Sequence, residues 1–255
     1  MTVCRDGSVL QIDLGNSALK WRVIRGDVVL ERGMQAITAD TGWQLQGVSI
    51  QPSDVIVASV AAEESEQQLA AQICQRWSLE PWFARSEREA LGLSNSYANP
   101  GKMGVDRWLA MLAAWHRRRE RVCVVDAGSA LTIDIVAASG QHEGGYILPG
   151  AALMQHVLLH RTQRVRFDEV IAPSLVPGVS TAEAVSHGAA LAQCGAIQLA
   201  LSVASAGGAQ RPRLVVSGGG GEAIAALLEE ISEFRRDLVF EGLALAAIAR
   251  AGNIV

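Results

Sequence analysis

The sequence lacks several features that would assign it to a class at once. Its cysteines, Cys4, Cys74, Cys123 and Cys194, are far apart and form no C-x-x-C pair. That excludes a cysteine zinc site and offers no disulfide framework, as suits a reducing compartment. No charged segment followed by an apolar one opens the chain, so a signal peptide is not expected. No run of 18 or more apolar residues is present, which argues against a membrane span. The formal net charge is −4 with a pI near 5.8, so no global basic field exists to hold nucleic acid. Neither a Walker A sequence nor a G-x-S-x-G elbow occurs, and the five histidines show no ligand spacing. These absences point to a cytoplasmic protein that binds neither nucleic acid nor membrane.

What is present is a mixed α/β pattern. In 255 residues, 49% are hydrophobic and 19% charged, the balance of a globular chain with a sizeable core. Short apolar runs at residues 9–13, 19–24 and 28–31 read as a hairpin meander. Further strands are expected at 54–60, 121–126, 131–137 and 213–216, with a turn at Gly144 and Gly145. Helical periodicity covers 63–77, 104–120, 181–204, 221–232 and about 242–251. Arginines 117–119 and 121 read as a solvated helix end, and Arg161, Arg164 and Arg166 as a solvated loop.

One pattern occurs twice. Ile12-Asp13-Leu14-Gly15-Asn16-Ser17-Ala18-Leu19-Lys20 is echoed by Val125-Asp126-Ala127-Gly128-Ser129-Ala130-Leu131-Thr132, with the two aspartates 113 residues apart. Each copy is an apolar strand, Asp-x-Gly, a Ser-Ala-Leu segment and a second strand. A lone Asp-x-Gly is ordinary hairpin chemistry, but matched flanks favour a duplicated chain with halves at 1–120 and 121–255. Such a turn lets the backbone approach a phosphate closely, with Ser17, Ser129 and Lys20 as extra donors.

Two further stretches carry chemistry. Ser217 to Ala223 follows a strand and opens a helix, as beside a mononucleotide's phosphates or adenosine, with Gly218 and Gly219 at its turn. It also fits a dinucleotide fingerprint, with Glu241 ending the next strand at ribose spacing. Only 14 residues follow Glu241, too few to complete that oxidoreductase fold. In Tyr97 to Arg107, Asp106 occupies the first turn of a helix. It serves either as a helix-terminus carboxylate or as a base for a hydroxyl proton, with Arg107 for an anionic substrate.

Together these residues resemble type III pantothenate kinases. The resemblance rests on Asp13-x-Gly15-Asn16-Ser17-x-x-Lys20-Trp21, Tyr97-x-x-Pro100, Gly104-x-Asp106-Arg107 and Asp126-x-Gly128-Ser129-Ala130. It extends to Gly144-Gly145-Tyr146-Ile147-Leu148-Pro149-Gly150 and Ser180-Thr181-x-x-Ala184, in family order over residues 10–220. It implies two ribonuclease-H-like halves of the actin, sugar kinase and Hsp70 superfamily around an ATP cleft. It implies ATP contacts at Asp13, Leu14, Gly15, Asn16, Ser17, Ala18, Leu19, Lys20, Ser129, Gly218 and Gly219. Asp106 would be the general base on pantothenate, lined by Tyr97, Gly104, Val105, Arg107 and, across a homodimer interface, Thr181. Asp126 would bind K⁺ or NH₄⁺, and Mg²⁺ would accompany ATP near Asp13. Ser129 stands where the family usually has threonine, which keeps the hydroxyl. Relatives also serve as accessory factors for transcriptional regulators, which is the alternative function.

Overall fold

A computed structural model describes residues 7–37, 44–228 and 232–252. Cys4 lies outside them. The elements run β1 (Val9–Leu14), β2 (Ala18–Arg25), β3 (Val28–Ala36), β4 (Asp54–Ser59), α1 (Glu63–Trp77), β5 (Trp82–Phe83), β6 (Glu89–Ala90), β7 (Leu93–Ser94) and α2 (Val105–His116). There follow β8 (Val122–Ala127), β9 (Ala130–Val136), β10 (His142–Pro149), α3 (Ala151–Arg161), α4 (Thr181–Ala204), β11 (Arg213–Ser217), α5 (Gly221–Leu227), β12 (Ser232–Phe234) and α6 (Leu238–Gly252).

Two five-stranded sheets share one plan, β3-β2-β1-β4-β5 and β10-β9-β8-β11-β12. In each, the central strand pairs antiparallel with the next strand and parallel with the strand that precedes a helix. Each sheet has its own core. Leu10, Ile12, Leu14, Val55 and Val57 pack with Leu69 and Ile73 of α1 in the first. Val125, Leu131, Ile133 and Val216 pack with Cys194, Ile197 and Leu201 of α4 in the second.

Contacts group 1–90, 97–109 and 239–255 in one unit, and 91–96 and 110–238 in the other. This differs from a single cut at residue 120, because α6 packs on the start of α2. A Cβ on Gly242 would stand 2.0 Å from the Leu109 carbonyl oxygen, an approach only glycine allows.

Helices with strong end signals keep their expected bounds. α1 has Glu63, Glu64 and Glu66 in its first turn, Arg76 in its last, and stops at Ser78 in the left-handed region (φ 57). α4 starts at Ser180, whose Oγ accepts from Glu183 N–H at 3.2 Å, while Glu183 takes the Val179 N–H at 2.7 Å. By length and composition α4 could also cross a membrane, although no unbroken apolar run reveals it, and 44% of its apolar window is buried within its own unit.

Elsewhere the structure corrects the expectations. Gly144 and Gly145 lie inside β10, where Gly144 (φ +127) serves a register shift between His142 and Gly144. Helix α2 stops at His116, and Arg119 turns left-handed (φ 52) with its guanidinium over Trp115 at 5.2 Å. Arg121 is not solvated: it donates to the carbonyls of Ala204 (2.8 Å) and Gln210 (2.6 Å). Arg161 ends α3, and Arg166 closes that helix by donating to the Leu159 and Thr162 carbonyls, both at 2.7 Å. Glu241 is in the first turn of α6, not at a strand end, which removes the ribose contact of the dinucleotide reading.

Candidate active site

The candidate residues gather at strand ends and one helix start. Asp13 ends the buried run of β1, half-buried, with Lys20 directly opposite on β2. Opposed residues of an antiparallel pair project to the same face, so this register sets a cation beside the carboxylate. The turn is closed by Gly15 N–H donating to the Ala18 carbonyl at 3.0 Å, leaving Asn16 and Ser17 exposed. Leu14 and Leu19 are buried in the core, so each can offer a ligand only its main chain.

The second turn is closed in the same way but is one residue shorter. Gly128 N–H donates to the Ala130 carbonyl at 2.9 Å, and Gly128 and Ser129 are exposed. Gly150 packs onto the turn so closely that a Cβ there would meet the Gly128 oxygen at 2.2 Å. Gly218 (φ +92) brings the β11–α5 turn against Asp126, where a Cβ would stand 2.4 Å from Oδ1 and 2.5 Å from the Ala127 oxygen. Gly220 N–H then donates to that Ala127 oxygen at 2.9 Å, and Gly219 is exposed. Asp126, Gly128 and Gly218 are therefore direct neighbours.

The segment from Tyr97 to Arg107 is equally local. Asn99 Oδ1 accepts from Gly101 N–H at 3.2 Å, fixing a short 3₁₀ turn begun by Pro100. Asp106 Oδ1 accepts the Arg107 N–H at 2.8 Å, in the first turn of α2 as expected. A Cβ on Gly104 would lie 2.5 Å from that same Oδ1. Arg107 is buried (6% exposed) and donates through Nη1 to the Tyr97 hydroxyl at 3.0 Å. Burying a guanidinium against a phenol keeps the charge hydrogen-bonded and aimed. Val105 is buried beside them. Thr181 belongs to the other unit, where it is the exposed first residue of α4.

Sequence reasoning passed over the residues that hold Tyr97. Arg88 donates to the carbonyls of Tyr97 (3.0 Å) and Ala98 (2.8 Å), and Ser86 Oγ to that of Met103 (3.0 Å). Their signal is weak because side-chain bonds to carbonyls carry no residue-type signature. Among the described residues no group of three or more His, Cys, Asp or Glu could hold a metal unaided.

Two sheets of one plan, each with a glycine turn at the end of its central strand, give the chain a fold like that of actin, sugar kinases and Hsp70. It superposes on MreB 5 of Spiroplasma citri bound to AMPPNP with a TM-score of 0.51 at 11% identity, over 97% of this chain and 98% of that one. It superposes on a Campylobacter jejuni protein described as a Baf family transcriptional activator with a TM-score of 0.59 at 22% identity, over 95% and 99%. Sequence narrows the class. The type III pantothenate kinase family model matches residues 9–202. A type III pantothenate kinase of Pseudomonas putida is 36% identical over 248 residues, 93% of this chain and 98% of the relative. The chain belongs to the type III pantothenate kinase family.

Proposed function

We propose that the chain transfers the γ-phosphoryl group of ATP to the primary hydroxyl of pantothenate, giving ADP and 4′-phosphopantothenate on the way to coenzyme A. The observation that carries this reading is the intact set Asp13, Asp106, Arg107 and Asp126 within a family match that runs from β1 into α4. Asp106 takes the hydroxyl proton as the oxygen attacks phosphorus, and Gly104 leaves its carboxylate room. Arg107 and Tyr97 orient pantothenate, and Val105, being buried, contributes only its main chain. The nucleotide is assigned to Asp13 to Lys20, Ser129, Gly218 and Gly219. Both turn glycines spend their N–H groups internally, so Asn16, Ser17 and Ser129 are the phosphate-facing positions. Thr181 of the partner subunit completes the pantothenate pocket in a homodimer, and the enzyme works in the cytoplasm.

Mg²⁺ fits Asp13, because that ion takes one or two carboxylates together with substrate phosphates. A monovalent cation is assigned to Asp126, whose carboxylate stands beside the Ala127 carbonyl at the Gly218 turn. It would supply positive charge beside the phosphates.

Purified protein given Mg-ATP, KCl and pantothenate should release ADP only when pantothenate is present. Asp106→Asn should fold and still bind pantothenate while turnover falls about 10²–10⁴-fold, the typical cost of losing a positioned base. ADP release without pantothenate would overturn the substrate. A fully active Asn variant would reduce Asp106 to a helix-terminus carboxylate.

A further inference from the structure

Three side chains outside the sites above form a hydrogen-bonded line from the interior of the second sheet to its surface. Asp134 of β9 and His142 of β10 are buried, at 2% and 1% exposure. His142 Nε2 lies 3.0 Å from Asp134 Oδ1, and His142 Nδ1 lies 2.8 Å from Oγ of the exposed Ser96. A carboxylate only accepts, so Nε2 carries a proton toward Asp134, and Nδ1 pairs with the Ser96 hydroxyl, a group that both donates and accepts. Burying an aspartate and a histidine carries a desolvation cost, so such a pair asks for a use.

Its position supplies one. The segment ending at Ser96 is stitched to the β9–β10 turn, with Ser94 N–H donating to the Gly140 carbonyl and Ser94 Oγ to Gln141 Oε1, both at 2.9 Å. Gly140 and Gly92 meet where a Cβ on Gly140 would stand 2.1 Å from the Gly92 oxygen. Ser96–His142 is the last of these fastenings, and the next residue is Tyr97. From there the chain belongs to the first unit, where Arg88 holds the Tyr97 carbonyl and Arg107 the hydroxyl.

We propose that Asp134 and His142 are positioning residues that act through Ser96: they fix how the chain enters Tyr97 and so how that ring is presented to the acceptor. The kinetic part of this inference rests on Tyr97 as a pantothenate contact; the structural part does not.

The chain has two tyrosines, Tyr97 and Tyr146, so protein grown with 3-fluorotyrosine gives two fluorine resonances, assigned through Tyr97→Phe. Ser96→Ala removes the hydroxyl at an exposed position and leaves the buried pair in place. The Tyr97 resonance should shift and broaden while that of Tyr146 stays. KM for pantothenate should rise about two- to tenfold, the range one hydrogen bond commands, with KM for ATP and the melting temperature unchanged. Ser96→Thr, which keeps a hydroxyl, should restore both readouts, and Asp134→Asn should reproduce the shift from a distance. A Tyr97 resonance indifferent to Ser96→Ala overturns the clasp whatever the substrate is. So does a shift that Ser96→Thr fails to reverse, since the local substitution alone would then explain it. Wild-type protein that makes no ADP from pantothenate overturns the substrate reading instead, and the fluorine spectra still decide the clasp.

Discussion

On the proposed mechanism the missing side chain of Gly104 matters to chemistry more than to stability. The space its Cβ would take is 2.5 Å from Asp106 Oδ1, the end of a rotatable side chain. Gly104→Ala should therefore move the carboxylate and leave the backbone where it is. The melting temperature should stay near wild type while kcat falls, by up to about 10²-fold if the displacement approaches 1 Å. Thermal melts and steady-state turnover on one preparation check both halves; a variant that loses stability but not kcat would place Gly104 in folding alone. Residues of this kind were legible in the sequence because their types and spacing form motifs. Asp13, Asp106, Arg107 and Asp126 stand at strand ends or a helix start, as their patterns imply. Ser96 and His142 were not legible, since 46 residues separate them and neither type nor spacing links them.

Among elements, the legible ones are those whose ends carry their own signals. Helix α1 has acids at its start and buried Leu69 and Ile73 four residues apart, and α4 has its Ser180–Glu183 cap. Strand β10 hid behind two glycines that serve a bulge, and α3 hid because none of its residues is fully buried, so no apolar stripe marks it. The end of α2 was overrun because Arg117 to Arg119 are good helix formers, and the stop is local, with Arg119 left-handed, its N–H on the Trp115 carbonyl and its guanidinium over the Trp115 ring. That helix end carries a pH-dependent liability. His116 occupies its last turn, where a cation is ordinarily favoured, yet its Nδ1 is buried without a hydrogen-bond partner. Burial first, and Arg119 second, push its pKa below the ordinary 6.5. The unfolded chain then binds this proton more readily than the folded one, so stability is lost as pH falls below 6.5, until the folded-state pKa is passed. Replacing the imidazole in His116→Gln removes that loss. The melting temperature of the variant relative to wild type should rise between pH 7 and pH 5, and a constant difference would show that His116 titrates alike in both states.

At the scale of the whole molecule, one plan is used twice, and the copies differ where charge matters. Equivalent bonds close both halves: Val60 N–H donates to the Leu14 carbonyl at 3.1 Å, and Gly220 N–H to the Ala127 carbonyl at 2.9 Å. In the first copy the aspartate faces Lys20 across the strand pair; in the second it faces Thr132, a neutral residue. On the proposed function both carboxylates lie near polyphosphate, where like charges are unfavourable unless positive charge offsets them, and the strand partner of Asp126 is neutral where that of Asp13 is a lysine. The proposed function assigns a bound cation to that place. Mg²⁺ travels with the phosphates and demands strict octahedral geometry, whereas a large, weakly hydrated ion suits a looser set of one carboxylate and backbone carbonyls. With Mg-ATP and pantothenate in Tris buffer, activity should be low and should rise with KCl or NH₄Cl. Choline chloride at equal ionic strength should give no such rise, which separates site binding from screening. Asp126→Ala should abolish the stimulation. Asp134→Ala is unsuited as its control because that carboxylate is buried against His142, so Asp54→Ala on β4 is the better comparison. Full turnover in buffer stripped of both ions would leave Asp126 with another task, holding the hairpin turn against Gly218.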